Sequence, residues 1–239
     1  MLHILCFSFI LPNGIRLQNG NYHKIVGTGP PVIFSSGFFG TMPSFMYGSI
    51  LDDLKTNMTL ILPCGNPIKT NTVTEIAEKL NVKKVGFLSH SSFDHEILNN
   101  ENVEKAVVID PVSFPELPLR SRTVKPSFDV LSFTTRLSQN TKIPFIPNAF
   151  EMHIKTNHQV VCEDVGHSDI LDDTWAEFAD SIGIKGAKEV PMNDLQNFSD
   201  WKFLKTNDKK KVRSAFRTMI CDRIRGFILN SHVSDDIVN

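Results

Sequence analysis

Cysteine is scarce in this 239-residue chain: Cys6, Cys64, Cys162 and Cys221 lie far apart. No Cys-x-x-Cys pair occurs, which argues against a zinc site and a dithiol redox centre. Buried thiols in a cytoplasmic or other reducing compartment are the expectation. Net charge is also slight, −1 from 25 basic and 26 acidic residues. Such a balance supplies no electrostatic footprint for nucleic acid. No apolar run is long enough to be an integral membrane segment. Residues 1–11 are very apolar but have no leading Lys or Arg and no small-x-small cleavage site. The turn-forming Leu11-Pro12-Asn13-Gly14 that follows makes them a first hairpin strand.

What is present describes a globular protein able to bury a sizeable core, with 41% apolar and 21% charged residues. One domain over 1–239 is expected, since no linker or repeat divides the chain. Residues 2–11 and 14–26 read as an opening antiparallel pair. Strands follow at Val32–Phe34, Thr59–Leu62, Val85–Leu88, Ala106–Ile109, Ile143–Ile146 and Gln159–Cys162, those at 32–34, 85–88 and 106–109 reading as buried. Between them lie a helix over 44–55 and one running to Leu80, opened by a capping box at Thr72-Val73-Thr74-Glu75. A short helix with Phe93, Ile97 and Leu98 on one side follows the 85–88 strand. Val212, Phe216, Ile220, Ile224, Phe227 and Ile228 mark an amphipathic closing helix. The alternation predicts an α/β fold with a mostly parallel central sheet and helices on both faces. Residues 113–140 are a long excursion with one extra strand and the best candidate for a lid; 185–210 are a surface insertion. Lys209-Lys210-Lys211 reads as a solvated helix start.

The chemistry centres on Ser89-His90-Ser91-Ser92-Phe93, directly after the 85–88 strand. This segment resembles the nucleophile elbow of α/β-hydrolases, which raises a serine hydroxyl at the carboxyl end of a sheet. The usual pattern is Gly-x-Ser-x-Gly, and here Ser89 and Phe93 replace both glycines. A serine nucleophile needs a base, and the base needs an acid to hold its tautomer. Asp110 ends the next strand and His167 lies just beyond the last, in the chain order that such sites use. Glu151, after the 143–146 strand, competes with Asp110 for the acid. The amide of Ser92, freed by the turn, can face an oxyanion, and that of Phe38 in Ser36-Gly37-Phe38 is its natural partner. His153 and His158 lie near but lack the carboxylate pattern of a metal site, so no metal is expected.

Three blocks resemble the chlorophyllase branch of the α/β-hydrolases. Ser89-His90-Ser91 is similar to that family's Gly-His-Ser. Val107–Val112, with Asp110-Pro111-Val112, matches its Leu-Asp-Pro-Val segment. Gly166-His167-Ser168-Asp169-Ile170-Leu171-Asp172-Asp173 is close to its Gly-His-x-Asp-x-Leu-Asp-Asp. The closing helix, Arg213 to Leu229, resembles the family's basic last helix. The resemblance implies an α/β-hydrolase fold with a minimal cap and assigns the acid to Asp110. It also implies a cofactor-free serine ester hydrolase acting on a small, bulky apolar ester. A lipase or general esterase is the close variant. A hydrolase-fold binding protein without catalysis is the rival, favoured by the bulk of Phe93. Phe38, Phe39, Phe45, Phe93, Phe114, Phe128 and Phe150 are candidates for an apolar pocket, most of them more naturally core.

Overall fold

A computed structural model describes residues 14–113, 125–135, 150–151, 154–156, 158–162, 165–181 and 208–230. The expected strands at 2–11 and 143–146, most of the 113–140 excursion and nearly all of the 185–210 insertion lie outside these residues. Eight strands form one sheet: β1 (Gly14–Arg16), β2 (Tyr22–Gly27), β3 (Pro31–Ser35), β4 (Thr59–Pro63), β5 (Val85–His90), β6 (Val103–Ile109), β8 (Asp129–Thr135) and β10 (His158–Cys162). Their order is β1-β2-β4-β3-β5-β6-β8-β10. All pairs from β4 to β10 are parallel, while β1–β2 and β2–β4 are antiparallel. β7 (Val112–Ser113) and β9 (Phe150–Glu151) make a separate two-stranded ribbon.

Side chains of a strand alternate between the faces of the sheet, and here both faces are covered. Val32, Phe34, Leu88, Val107, Ile109 and Phe133 pack beneath α2 (Gly48–Leu54) and α5 (Lys209–Leu229). Ile33, Ile61, Phe87, Ala106, Val108 and Val130 pack beneath α3 (Thr70–Lys79) and a 3-10 turn, His95–Asn99. The closing helix is placed as its periodicity predicts, with Val212, Phe216, Ile220, Ile224 and Phe227 all buried. Its end lies over the middle of the sheet. A Cβ on Gly86 would sit 3.0 Å from Val32 Cγ2 and 3.5 Å from Ile228 Cδ1, so a larger residue would push β5 and α5 apart.

Four local readings are corrected. The 14–26 strand is two strands, β1 and β2, joined at Asn19-Gly20, where Gly20 has φ 84 and Leu17 N donates to Asn21 O at 2.8 Å. The helix over 44–55 is a 3-10 turn, Ser44–Tyr47, followed by α2, and a four-residue helix α1 (Gly37–Gly40) precedes both. α3 begins at Thr70, so Thr72 is an interior helical residue and no capping box forms. Asp94 caps the helix in its place, with Oδ2 accepting from Thr70 N at 3.2 Å and from Thr70 Oγ1 at 3.3 Å, while its Oδ1 accepts from Glu96 N. Glu75 instead accepts from Gln18 N. The helix after the elbow is only the 3-10 turn, although Phe93, Ile97 and Leu98 share one buried cluster as expected. The extra strand within the excursion is β8.

Candidate active site

β5 ends at His90, and the chain turns sharply at Ser91, which has φ 66. A non-glycine residue is held in this left-handed region only by surrounding contacts. Here Ser91 N donates to Ile109 O at 3.0 Å, and Ser91 O accepts from Val112 N at 3.2 Å. Both partners belong to the neighbouring strand end, so the turn is clamped to the segment that carries Asp110. Asp110 is itself left-handed, with φ 47. Its amide donates to Phe133 O at 2.7 Å, and its Oδ1 accepts from Thr135 N at 2.9 Å.

The structure brings Ser91, His167 and Asp110 together. His167 Nδ1 lies 2.6 Å from Asp110 Oδ2, and its Nε2 lies 2.9 Å from Ser91 Oγ. A carboxylate only accepts, so Nδ1 carries the proton and Nε2 is free to accept from the serine hydroxyl. Burial keeps this contact dry: Asp110 is 4% and Ser91 8% exposed. Glu151 lies in β9, paired with Val112, while Asp110 holds the histidine. Phe93 does not disturb the turn. Its ring is buried against Phe87, with centroids 5.8 Å apart. The glycine of the usual pattern serves a helix packed close behind the strand, and here a 3-10 turn starting at His95 replaces that helix. Ser89 is buried, and its hydroxyl has no partner among the described residues.

Two further segments frame the site. Phe38 lies in the first turn of α1, directly after β3, where helix amides have no intrahelical acceptor. Gly37 beside it is tightly enclosed: a Cβ there would lie 2.6 Å from Met42 Sδ and 3.3 Å from Tyr47 Oη. The His167 loop is tied down from both ends. Asp169 Oδ2 accepts from Gly166 N at 2.6 Å, and its Oδ1 accepts from Arg213 Nε at 2.8 Å. Arg213 Nη2 also donates to Asp180, and Arg217 donates to Leu171 O and to Asp173. Asp172 Oδ1 accepts from both N and Oγ of Ser49, at 2.9 and 2.6 Å. Asp169 and Asp173 of the 166–173 block and the basic face of α5 are therefore one structural unit, and Asp172 ties the block to α2. The sequence displays both halves but not the connection between them.

Sequence reasoning also misses Tyr47 and His90. His90 Nδ1 lies 2.8 Å from Tyr47 Oη, and His90 Nε2 lies 2.9 Å from His167 O. The sole signal is the histidine preceding Ser91. Among the described residues no group of three His, Cys, Asp or Glu side chains could hold a metal ion, and no helix is long and apolar enough to cross a membrane.

No protein-family model and no curated protein matches the sequence. Solved structures that match include an α/β hydrolase fold protein from Nakamurella multipartita, 19% identical with a TM-score of 0.34 over 43% of this chain and 42% of that one. Another is an α/β fold family hydrolase from Bacillus anthracis, 18% identical with a TM-score of 0.33 over 46% and 47%. A third is a proline iminopeptidase-related protein from Thermus thermophilus, 18% identical with a TM-score of 0.34 over 43% and 45%. The chain thus spans less than half the length of each. The strand order, the two antiparallel strands at one edge and the serine on a left-handed turn after β5 decide the architecture. The fold is that of the α/β-hydrolases. Lys209 and Lys210 open its closing helix as surface residues, pairing with Asp180 and Glu177 of α4 (Asp173–Ser181) at 3.9 and 3.6 Å.

Proposed function

We propose that this protein is a serine carboxylic-ester hydrolase, with Ser91 as nucleophile, His167 as general base and then acid, and Asp110 as the group that orients the histidine. The observation that carries the reading is the continuous hydrogen-bond chain from Ser91 Oγ through the imidazole to Asp110. In the first half-reaction Ser91 Oγ bonds to the ester carbonyl carbon while its proton passes to His167 Nε2. The amides of Ser92 and Phe38 receive the negative charge that develops on the carbonyl oxygen, and each such donor contributes about 3 kcal/mol. As the tetrahedral centre collapses, His167 returns the proton to the departing alcohol. Water then repeats the sequence on the acyl-serine, releasing the acid and regenerating Ser91.

A bulky apolar ester is the substrate class that we favour. Phe45 is 62% exposed, and its ring lies 5.6 Å from that of Trp175, which is followed at 6.4 Å by Phe178. Asp172 N donates to Met46 O at 2.9 Å, so the segments of Phe45 and Trp175 meet in one apolar surface patch. The three sequence blocks that resemble chlorophyllases point the same way.

The test is hydrolysis of p-nitrophenyl butyrate by the wild type and by Ser91→Ala, with circular dichroism as a control for folding. Turnover that falls by more than about 10⁴-fold in the variant is expected. Turnover unchanged by Ser91→Ala would sink the reading. Wild type without turnover and without fluorophosphonate labelling at Ser91 would favour the non-catalytic binding protein. Comparing butyrate with long-chain and phytyl esters then tests the apolar preference.

A further inference from the structure

Tyr47 and His90 stand outside the chemistry just described, yet both are buried against it, at 0% and 2% exposure. Their hydrogen bonds have only one consistent direction. The carbonyl of His167 can only accept, so His90 Nε2 must carry a proton and donate to it across 2.9 Å. A neutral imidazole then offers Nδ1 as an acceptor, and the Tyr47 hydroxyl donates to it across 2.8 Å. The hydroxyl oxygen in turn accepts from Gly37 N at 3.0 Å. One chain therefore runs from Gly37 N–H through Tyr47 O–H and the His90 imidazole to the backbone of His167.

The places joined by this chain matter. Gly37 is adjacent to Phe38, His90 is adjacent to Ser91, and the last acceptor is the backbone of His167 itself. The His90 and His167 rings also pack together, tilted at 35° with centroids 4.5 Å apart. Resting on the serine-hydrolase reading, we infer that Tyr47 and His90 are positioning residues: they hold the oxyanion loop, the serine turn and the base in one register. Neither side chain hydrogen-bonds to Ser91 Oγ or to a ring nitrogen of His167. His90 cannot replace His167 as the base, because both of its nitrogens are committed. Burial keeps its imidazole neutral, down to a pKa of about 3. Burial likewise pushes the Tyr47 phenol up, so it remains a donor. If packing alone were needed, an apolar pair of similar volume would fill this space without the cost of desolvating polar groups. A connection between three loops is what the polar pair adds.

The experiment measures p-nitrophenyl butyrate turnover and fluorophosphonate labelling for wild type, Tyr47→Phe, His90→Gln and the double variant. Misplaced loops lose transition-state contacts more than ground-state ones. The expected result is therefore kcat lowered roughly 10- to 100-fold with KM within about twofold of wild type. Labelling should slow in parallel. Both substitutions break one chain, so the double variant should be no slower than the slower single one. Variants with wild-type kcat and only a lowered Tm, or effects that simply multiply, would overturn the inference. A wild type that neither turns over nor labels would overturn the serine-hydrolase reading itself, a result distinguishable from the first. Should the variants not fold, imidazole ¹⁵N spectra of the wild type decide. His90 protonated at Nε2 and neutral from about pH 5 to 8 supports the chain, and any other tautomer overturns it.

Discussion

On the sheet face covered by α2 and α5, buried ions and hydrogen bonds run between separate segments. Arg213 and Asp169 are almost fully inaccessible, Arg217 reaches Leu171 O, and Tyr47 joins His90. On the face covered by α3, Asp94 caps a helix start and Asn100 bridges to Thr70 O. Among the described residues no buried ion pair joins its apolar cluster, and the buried side chains of His23, Ser35 and Ser89 have no hydrogen-bond partner. The same strands supply both faces. Apolar packing needs only volume and fit, whereas a catalytic geometry needs direction, which hydrogen bonds supply. The α5 face accepts the desolvation of charges in order to fix the His167 loop, and the α3 face supplies cohesion.

Four experiments break or sharpen that contrast. The largest effect belongs to Asp110→Asn, which keeps an acceptor for the Thr135 amide but permits the wrong His167 tautomer. We expect kcat to fall about 10⁴-fold with little change in Tm, checked by steady-state kinetics beside calorimetry. Next is Arg213→Met. It removes the cation beside buried Asp169, so urea unfolding should show a loss of about 3–5 kcal/mol. Because the His167 loop is released, kcat should fall as well. Ile76→Ala is the counterpart on the α3 face. It should cost about 2–4 kcal/mol through the cavity left behind, while kcat below the unfolding range stays unchanged. A matching kcat loss there would erase the division between the faces.

The effect smallest per group is a pH dependence with one histidine on each face. Burial lowers His23 from 6.5 to about 4 and His90 to about 3. The unfolded chain binds these protons first, so the stability due to neutral burial is complete above pH 6.5. It is lost as pH falls toward those values. The slope is about 1.4 kcal/mol per pH unit for each group, measurable from urea midpoints between about pH 6 and 4.5. His23→Leu should remove one group's share of it.

The strands at 32–34, 59–62, 85–88 and 106–109 are legible because a parallel strand covered on both faces is a continuous apolar run. Ser91 and Asp110 are legible because each directly follows such a run, and His167 because its block lies just beyond the last strand, although that strand is half-exposed. What is not legible depends on partners distant in the chain. Thr72-x-x-Glu75 has the residues of a capping box, but Asp94 caps the helix two residues earlier. Tyr47 is 43 residues from His90, and only the folded sheet brings them together. Phe93 looks like an obstacle because the rule that it violates presumes an α-helix at that point. The Asn19-Gly20 turn is a local signal, and the apolar alternation around it masks the break.

Ser91 pays for its geometry with a backbone torsion that glycine adopts freely, a penalty on the order of 1 kcal/mol. Selection for folding alone would therefore drift toward glycine at that position, and selection for turnover would hold the serine. On the serine-hydrolase reading proposed above, the nucleophilic role is what a serine held in that torsion serves.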